Sequence, residues 1–341
     1  MLNTLKTLCS LPGVSGMETA VRDYIAQRAK PFASEISTDP MGNLIVFKEG
    51  KNPGGKKIML CAHMDEVGVM VTYIDDNGYL KFDTVGGIAR GVLIGKRVII
   101  GDGIPGIIGI KAVHLTNAKE RKAVPSLDDM YIDIGAGSRE KAEELISLGD
   151  VGCFDSEPRE FGNGFLKARA ADDRVGCALM LHLLELDLPV SCHFVFTVQE
   201  EVGCRGASVA AYRVKPDIAL VLEGTTSAAM PDVVGNKKIC SPGGGVVLPF
   251  MDGGTIYDPA LRKWLTGLAD SNGIPWQTKQ YIAGGTDGSV VQRSGTGVRT
   301  AAMAAALLNI HTPSGIMCIK DMDCMYNLAK LFLENIGDFI A

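Results

Sequence analysis

The sequence lacks the features that mark several large classes of protein. Its 341 residues contain no run of lysine or arginine, and the formal net charge is −5, so nucleic acid is not an expected partner. No stretch approaches the roughly 18 consecutive apolar residues that a membrane-spanning helix needs. Pro12 and Gly13 interrupt the apolar N-terminal run, which is too short for a signal peptide. We therefore expect a cytoplasmic protein without a membrane partner.

Closely spaced cysteine pairs are also missing. The nine cysteines are scattered, and none forms a C-x-x-C motif. This pattern is typical of reduced thiols in the cytoplasm and argues against a disulfide framework or a structural zinc site. Hydrophobic residues nevertheless make up 46% of the chain, which is enough for a large core and excludes disorder.

Helical and strand patterns alternate in the first and last parts of the chain. Apolar residues at helical spacing predict helices over residues 17–29, 172–186, 259–269 and 322–336. Short apolar runs predict buried strands over residues 58–62, 194–198, 218–222 and 301–310, and turn residues predict a hairpin of residues 35–38 and 43–47. We expect an α/β domain formed by residues 1–67 and 165–341.

The segment 68–164 has a different pattern. Short strand-like runs recur between tight turn signals, and a single helix is predicted between Ser138 and Gly149. This pattern predicts a small β-rich domain, similar to a barrel, that is inserted into the α/β domain.

Acids and histidines follow the predicted buried strands. His63 follows the first strand, the pair Glu200–Glu201 the second, Glu223 the third and His311 the fourth. Ligands of open α/β sheets bind beyond the carboxyl ends of the strands, so we expect these side chains to converge at one edge. Asp172 lies at the start of a predicted helix and joins the set.

This set of residue types predicts a metal site. Two imidazoles and several carboxylates suit zinc, cobalt or manganese, whereas calcium prefers oxygen ligands alone. If one carboxylate bridges two ions, they lie about 3.5–4 Å apart. Glu200 and Glu201 point to different sides of an extended backbone, so one can bind metal while the other acts as general base. Asp65, two residues after His63, can orient its imidazole.

Six ordered motifs resemble one known family. They are CAHMDEVG (61–68), ARAADDRVGCA (168–178), TVQEEVGCRGA (197–207), ALVLEGTT (219–226), GGTDGS (284–289) and HTPSG (311–315). Together they are similar to the glutamyl aminopeptidase family, whose members include tetrahedral, dodecameric aminopeptidases of archaea and bacterial proteins, some of them described as endoglucanases. The resemblance extends from residue 11 to the last predicted helix.

The resemblance implies a mixed-sheet metallopeptidase domain and a role for each site residue. Asp172 would bridge two divalent ions per subunit. His63 and Glu223 would complete one ion site, and Glu201 and His311 the other. Glu200 would be the general base and Asp65 the partner of His63. The inserted domain would be a PDZ-like barrel that pairs subunits within a homo-oligomer, a dodecamer built from dimers.

The resemblance also implies peptide substrates. Many relatives carry aspartate in place of Glu223, and this difference leaves the choice between zinc, cobalt and manganese open.

Other interpretations remain open at this stage. A carboxypeptidase or deacylase would share the same acids, and only substrate tests would separate it from an aminopeptidase. An endoglucanase usually carries aromatic platforms for sugars, but this chain has two tryptophans, Trp264 and Trp276. A scaffold protein with a dead site is disfavoured because every expected ligand is present. The loop 284–288 is either a flexible connection or a substrate-side loop near the metals.

Overall fold

A computed structural model describes residues 1–52 and 55–340. Its helices are α1 (Leu2–Ser10), α2 (Thr19–Ala29), α3 (Arg90–Leu93), α4 (Arg139–Glu143), α5 (Ala171–Leu183), α6 (Arg205–Val214), α7 (Pro259–Ser271), α8 (Gly288–Val291) and α9 (Ile319–Ile340). Its strands in the first half are β1 (Glu35–Thr38), β2 (Leu44–Lys48), β3 (Ile58–His63), β4 (Gly68–Ile74), β5 (Leu80–Val85), β6 (Arg97–Ile100), β7 (Ile104–Ile110), β8 (Met130–Asp133) and β9 (Val151–Phe154). Those in the second half are β10 (Arg159–Phe161), β11 (Phe165–Ala168), β12 (Cys192–Thr197), β13 (Ile218–Thr226), β14 (Val246–Val247), β15 (Trp276–Gln277), β16 (Arg299–Leu308) and β17 (Gly315–Cys318).

A large mixed sheet forms the centre of the molecule. Its main path runs β1-β2-β12-β3-β13-β16-β17-β11-β10, and off this path β14 pairs with β16 and β15 pairs with β14. The four central strands β12, β3, β13 and β16 are parallel, so their carboxyl ends lie at the same edge. Strands β2 and β17 add antiparallel partners on the two sides.

Helices cover both faces of this sheet. On one face, α5 packs against β3 and β13, α9 packs beside it against β16 and β17, and α1 packs on α5. On the other face, small side chains of α6 pack with β3, β12 and β13. Coverage on both sides explains why β3 consists of buried residues throughout, because a central parallel strand has no face left for water.

After β3 the chain leaves the sheet and forms a closed antiparallel barrel. Its strands follow the order β4-β5-β8-β7-β6-β9, and the chain rejoins the large sheet at β10 and β11. Apolar side chains such as Val69, Leu80, Val98 and Ile132 fill a core separate from that of the large sheet. The prediction of an α/β fold with an inserted β-barrel is confirmed.

The short helices α3 and α8 were not predicted, and neither were two longer ones, α1 and α6. Only Leu5, Leu8 and Cys9, together with Thr4, are buried in α1. Helix α6 buries mainly glycine and alanine, which give little hydrophobic contrast along the sequence. Both helices depend on tertiary packing, because isolated helices of this length are marginal in water.

Candidate metal centre

His63 is the last residue of β3, and the buried strand directs its ring into the sheet edge. The ring Nδ1 lies 3.1 Å from the carbonyl oxygen of Asp65, which assigns the proton to Nδ1. The other nitrogen, Nε2, lies 3.3 Å from Glu223 Oε1 and 3.4 Å from Asp172 Oδ1. The imidazole therefore presents a free nitrogen to two carboxylates.

Like His63, His311 has one ring nitrogen beside a backbone carbonyl and the other beside two carboxylates. It follows β16 with a positive φ of 58°, and its Nδ1 donates to the carbonyl oxygen of Gly87 at 2.8 Å. Its Nε2 lies 3.2 Å from Glu201 Oε1 and 3.6 Å from Asp172 Oδ2. Gly87 belongs to the chain between β5 and β6 of the barrel, so the inserted segment orients a histidine of the site.

Asp172 lies between the groups around His63 and those around His311. Its Oδ1 lies beside His63 Nε2, which also contacts Glu223. Its Oδ2 lies beside His311 Nε2, which also contacts Glu201. Among residues 1–52 and 55–340, no hydrogen-bond partner reaches the buried Oδ1. The structure thus brings all five predicted ligands together as two sets of three groups that share one carboxylate.

The local backbone at Asp172 differs from the prediction. The sequence pattern predicted a helix from this residue, but Asp172 and Asp173 have non-helical dihedral angles at the start of α5, after Ala170 in the left-handed region. A side chain at Gly224 would place its Cβ 2.9 Å from Asp172 Oδ1. The carboxylate therefore needs both the irregular turn and a residue without a side chain beside it, and sequence reasoning missed Gly224.

The backbone conformation of the Glu200–Glu201 pair also differs from the prediction. Strand β12 ends at Thr197, Gln199 has a positive φ of 57°, and a turn follows. Their divergence therefore comes from a turn and not from strand alternation. Glu201 Oε1 lies beside His311, whereas Glu200 Oε1 accepts from Cys204 Sγ at 3.5 Å.

Asp65 connects the first histidine with this turn. Its Oδ1 accepts from the Glu200 N–H at 3.0 Å, and its Oδ2 accepts from the Glu201 N–H at 3.2 Å and from Ser15 Oγ at 2.6 Å. Oδ1 also lies 3.4 Å from His63 Nδ1. Burial opposes ionisation, but the contacts with His63 and Ser15 hold the pKa of Asp65 below its usual value.

Asp173 holds the backbone of His63. Its Oδ2 accepts from the His63 N–H at 3.2 Å and its Oδ1 from the Gly176 N–H at 2.9 Å. The second contact caps the first turn of α5. Asp173 also lies within reach of a cation beside His63 and Glu223.

When its acids are ionised, the cluster carries an excess of buried negative charge. Its acids and imidazoles are Asp172, Asp173, Glu200, Glu201, Glu223, His63 and His311. Burial and the charge of Asp173 raise the pKa of Glu223 well above its usual range, and burial raises the pKa of Glu200 to about 8. Burial of unneutralised carboxylates is costly. Together with the unpartnered oxygen of Asp172, this charge fits divalent cations, and imidazole–carboxylate sets suit zinc, cobalt or manganese.

The site opens to solvent beside His311. The side chain of His311 is 29% exposed, whereas that of His63 is 1% exposed. A recess beside Asp172, Glu201 and His311 continues along Thr312. Substrate access is therefore from the side of His311, next to the barrel.

The loop 284–288 is anchored near the site. Thr286 Oγ1 lies 3.0 Å from Tyr257 Oη, and Asp287 Oδ2 accepts from Thr197 Oγ1 at 2.5 Å. Asp287 is buried close to Glu200 and Cys204. The motif GGTDGS therefore forms part of the wall beside Glu200.

Known proteins resemble this chain over nearly its whole length. The family model of the M42 glutamyl aminopeptidases matches residues 42–328. A lysyl aminopeptidase of Pyrococcus furiosus is 31% identical, with 97% of this chain and 96% of that protein covered. The structure of the aminopeptidase APDkam598 from the archaeon Desulfurococcus kamchatkensis is 34% identical with a TM-score of 0.93, covering 97% of this chain and 94% of that one.

A further structure concerns a peptidase that forms large assemblies. The TET1 peptidase of Pyrococcus horikoshii, described as assembling into a tetrahedron or a large octahedral shell, is 31% identical with a TM-score of 0.87. The alignment covers 98% of this chain and 99% of that one.

The fold, the clustered acids and histidines, and these similarities define a hydrolase of peptide bonds. Within that class, the chain belongs to the M42 glutamyl aminopeptidase family.

Proposed function

We propose that this protein is an aminopeptidase that uses two divalent cations per subunit to release N-terminal residues from peptides. His63, Glu223 and Asp172 would hold one cation, and His311, Glu201 and Asp172 the other. The observation that carries the proposal is the orientation of Asp172, whose two oxygens face the two sets. Bound cations supply Lewis-acid activation of water and of the scissile carbonyl.

Glu200 is the general base in this proposal. Its carboxyl group lies in the cluster without an imidazole partner of its own, while the neighbouring Glu201 faces His311. The carboxylate accepts a proton from the attacking water and returns it to the leaving amine. Asp65 acts as a positioning residue, because it accepts hydrogen bonds from the backbone of both glutamates and holds the ring of His63.

The other candidate functions have less support. A carboxypeptidase or deacylase would use the same acids, but the matching family and the Pyrococcus furiosus and Desulfurococcus kamchatkensis relatives are named aminopeptidases. An endoglucanase needs sugar-binding surfaces, yet Trp264 packs on Phe332 and Phe339 of α9, and Trp276 donates to Asp270. Both tryptophans are thus occupied in contacts with helices α7 and α9.

We also propose that the segment 68–164 is a pairing domain that builds a homo-oligomer, with dimers assembling into a dodecamer. The barrel exposes apolar side chains in its connections, among them Val113 (68% exposed), Leu115 (62%) and Val124 (51%). The assemblies described for the Pyrococcus horikoshii peptidase support this proposal. Light scattering coupled to size-exclusion chromatography should give the mass of the oligomer, and a monomer at micromolar concentration would contradict it.

A cytoplasmic location completes the proposal. All nine cysteines are free. No helix in the described part of the chain has the length and apolarity needed to cross a membrane.

Metal removal tests the chemistry. A strong chelator should abolish peptide hydrolysis, and zinc, cobalt or manganese added back should restore it. Elemental analysis of the active protein should approach two ions per chain. Full activity in a verified metal-free preparation would refute the proposal.

Blocked peptides test the direction of cleavage. A peptide with a free N-terminus and an amidated C-terminus should lose residues one by one, and a peptide with an acetylated N-terminus and a free C-terminus should stay intact. The opposite result would indicate a carboxypeptidase. A panel of aminoacyl substrates then gives the preferred N-terminal residue, and a cellulose oligomer serves as the control for endoglucanase activity.

A further inference from the structure

A second cluster of metal-capable groups lies behind Glu200, outside the two proposed metal positions. Glu200, Cys204 and Asp287 each offer one ligand atom, and these atoms all lie within 4.8 Å of one another. Cys204 is half-buried, and exposed residues lie on both sides of it.

Asp287 supplies a second, independent observation at this cluster. The residue is 1% exposed. Its Oδ2 accepts from Thr197 Oγ1 at 2.5 Å and from Cys61 Sγ at 3.7 Å, but its Oδ1 has no hydrogen-bond partner among residues 1–52 and 55–340. A buried carboxylate oxygen without a partner is costly, and the proposed reaction gives Asp287 no role.

The distances suit coordination of a thiophilic cation. Cys204 Sγ lies 3.5 Å from Glu200 Oε1. A tetrahedral zinc ion with bonds of about 2.3 Å to sulfur and about 2.1 Å to oxygen separates these ligands by about 3.6 Å. Ser289 Oγ lies 3.7 Å from the same sulfur and can supply a further oxygen. The sulfur of Cys204 also lies 3.4 Å from the carbonyl oxygen of Thr286. A protonated thiol has one proton and can donate it to either Glu200 or Thr286, so it explains only part of this geometry.

We propose that Cys204, Glu200 and Asp287 form a third cation site, which takes zinc or cadmium and inhibits the enzyme when filled. Binding releases the thiol proton of Cys204 and ties the carboxylate of Glu200 to the ion. The inhibition, but not the binding, rests on the proposed role of Glu200 as general base. A thiolate ligand makes the site selective for soft ions over manganese or magnesium.

Cadmium is the probe, because a cadmium–thiolate bond gives a charge-transfer band in the ultraviolet. The metal-loaded enzyme is titrated with cadmium while the band and the peptidase rate are recorded. Cys204→Ser removes the thiol, and Cys204→Ala serves as a second variant should the first fold poorly. Cys324→Ser is the matched control, because Cys324 is the other half-buried cysteine and lies in α9.

The expected result is specific to Cys204. The band should be lost in Cys204→Ser and kept in Cys324→Ser. Inhibition is measured against each variant's own uninhibited rate. The cadmium concentration for half-inhibition should be at least roughly tenfold higher in Cys204→Ser than in the wild type, since even a residue outside the ligand set typically contributes 10–100-fold to metal affinity.

Two results would overturn the proposal. One is a cadmium–thiolate band that survives in Cys204→Ser, and the other is inhibition that is equal in both serine variants. A wild-type enzyme without peptidase activity would refute the proposed function instead, and the band alone would then decide whether Cys204 binds the ion.

Discussion

Replacement of Asp65 by asparagine tests whether one buried carboxylate organises the site. Asp65 is fully buried and accepts from Ser15 Oγ and from the backbone N–H groups of Glu200 and Glu201. Asparagine has nearly the same shape, but one of its two terminal atoms is a donor. In either orientation of the amide, one of the two backbone N–H groups faces another donor and loses its acceptor.

The size of the effect follows from these contacts. A buried N–H without an acceptor costs about 1–3 kcal/mol, and the remaining hydrogen bonds lose the assistance of the negative charge, so Asp65→Asn should destabilise the protein by about 2–4 kcal/mol. The displaced turn carries Glu200 and Glu201. Metal affinity and kcat should therefore each fall roughly 10–100-fold, as for other residues that orient metal ligands.

The assay combines denaturant unfolding of the metal-free protein with metal titration and peptide kinetics. Ser15→Ala is the control, because it removes one donor to Asp65 and leaves the charge and both backbone contacts in place. This control should cost only about 1 kcal/mol and leave kcat nearly unchanged. The reasoning would be refuted if Asp65→Asn matched Ser15→Ala in stability and in kcat.

Three further substitutions separate the roles of individual carboxylates. Glu200→Gln should lower kcat by about 10²–10⁴-fold with metal content unchanged, and elemental analysis showing a lost ion would mean that Glu200 is a ligand. Asp172→Asn should weaken both ions together in a metal titration, whereas loss of a single ion would contradict a bridging role. Asp258 accepts from Arg299, and although burial opposes ionisation, this contact holds the pKa of Asp258 below its usual value. Its stabilising effect is present above the unfolded pKa of about 3.9 and is lost as pH falls through the lower folded pKa. The Tm difference between wild type and Asp258→Asn should therefore be largest near neutral pH and disappear in acid; a difference that persists in acid would contradict this assignment.

The sequence alone predicted the chemical character of the site. Apolar runs had to become buried strands, and a histidine or acid directly after such a run had to lie at an edge of the sheet. This reasoning found His63, Glu201 and His311, because parallel strands bring their carboxyl ends together. It also found Glu223, although β13 continues beyond it to Thr226. The inserted barrel was predictable because its turn signals differ from those of the flanking segments.

The tertiary structure decided how these groups are held. The carbonyl oxygen of Gly87, distant in sequence, fixes the ring of His311, and Gly224 leaves room for Asp172. Neither glycine carries a side chain that would reveal a role, and both act through backbone position. The turn that separates Glu200 from Glu201 likewise depends on hydrogen bonds to Asp65. Residue type and strand order therefore determined which groups meet, whereas contacts between distant segments determined their orientation, because backbone carbonyls and missing side chains leave no periodic signal in a sequence.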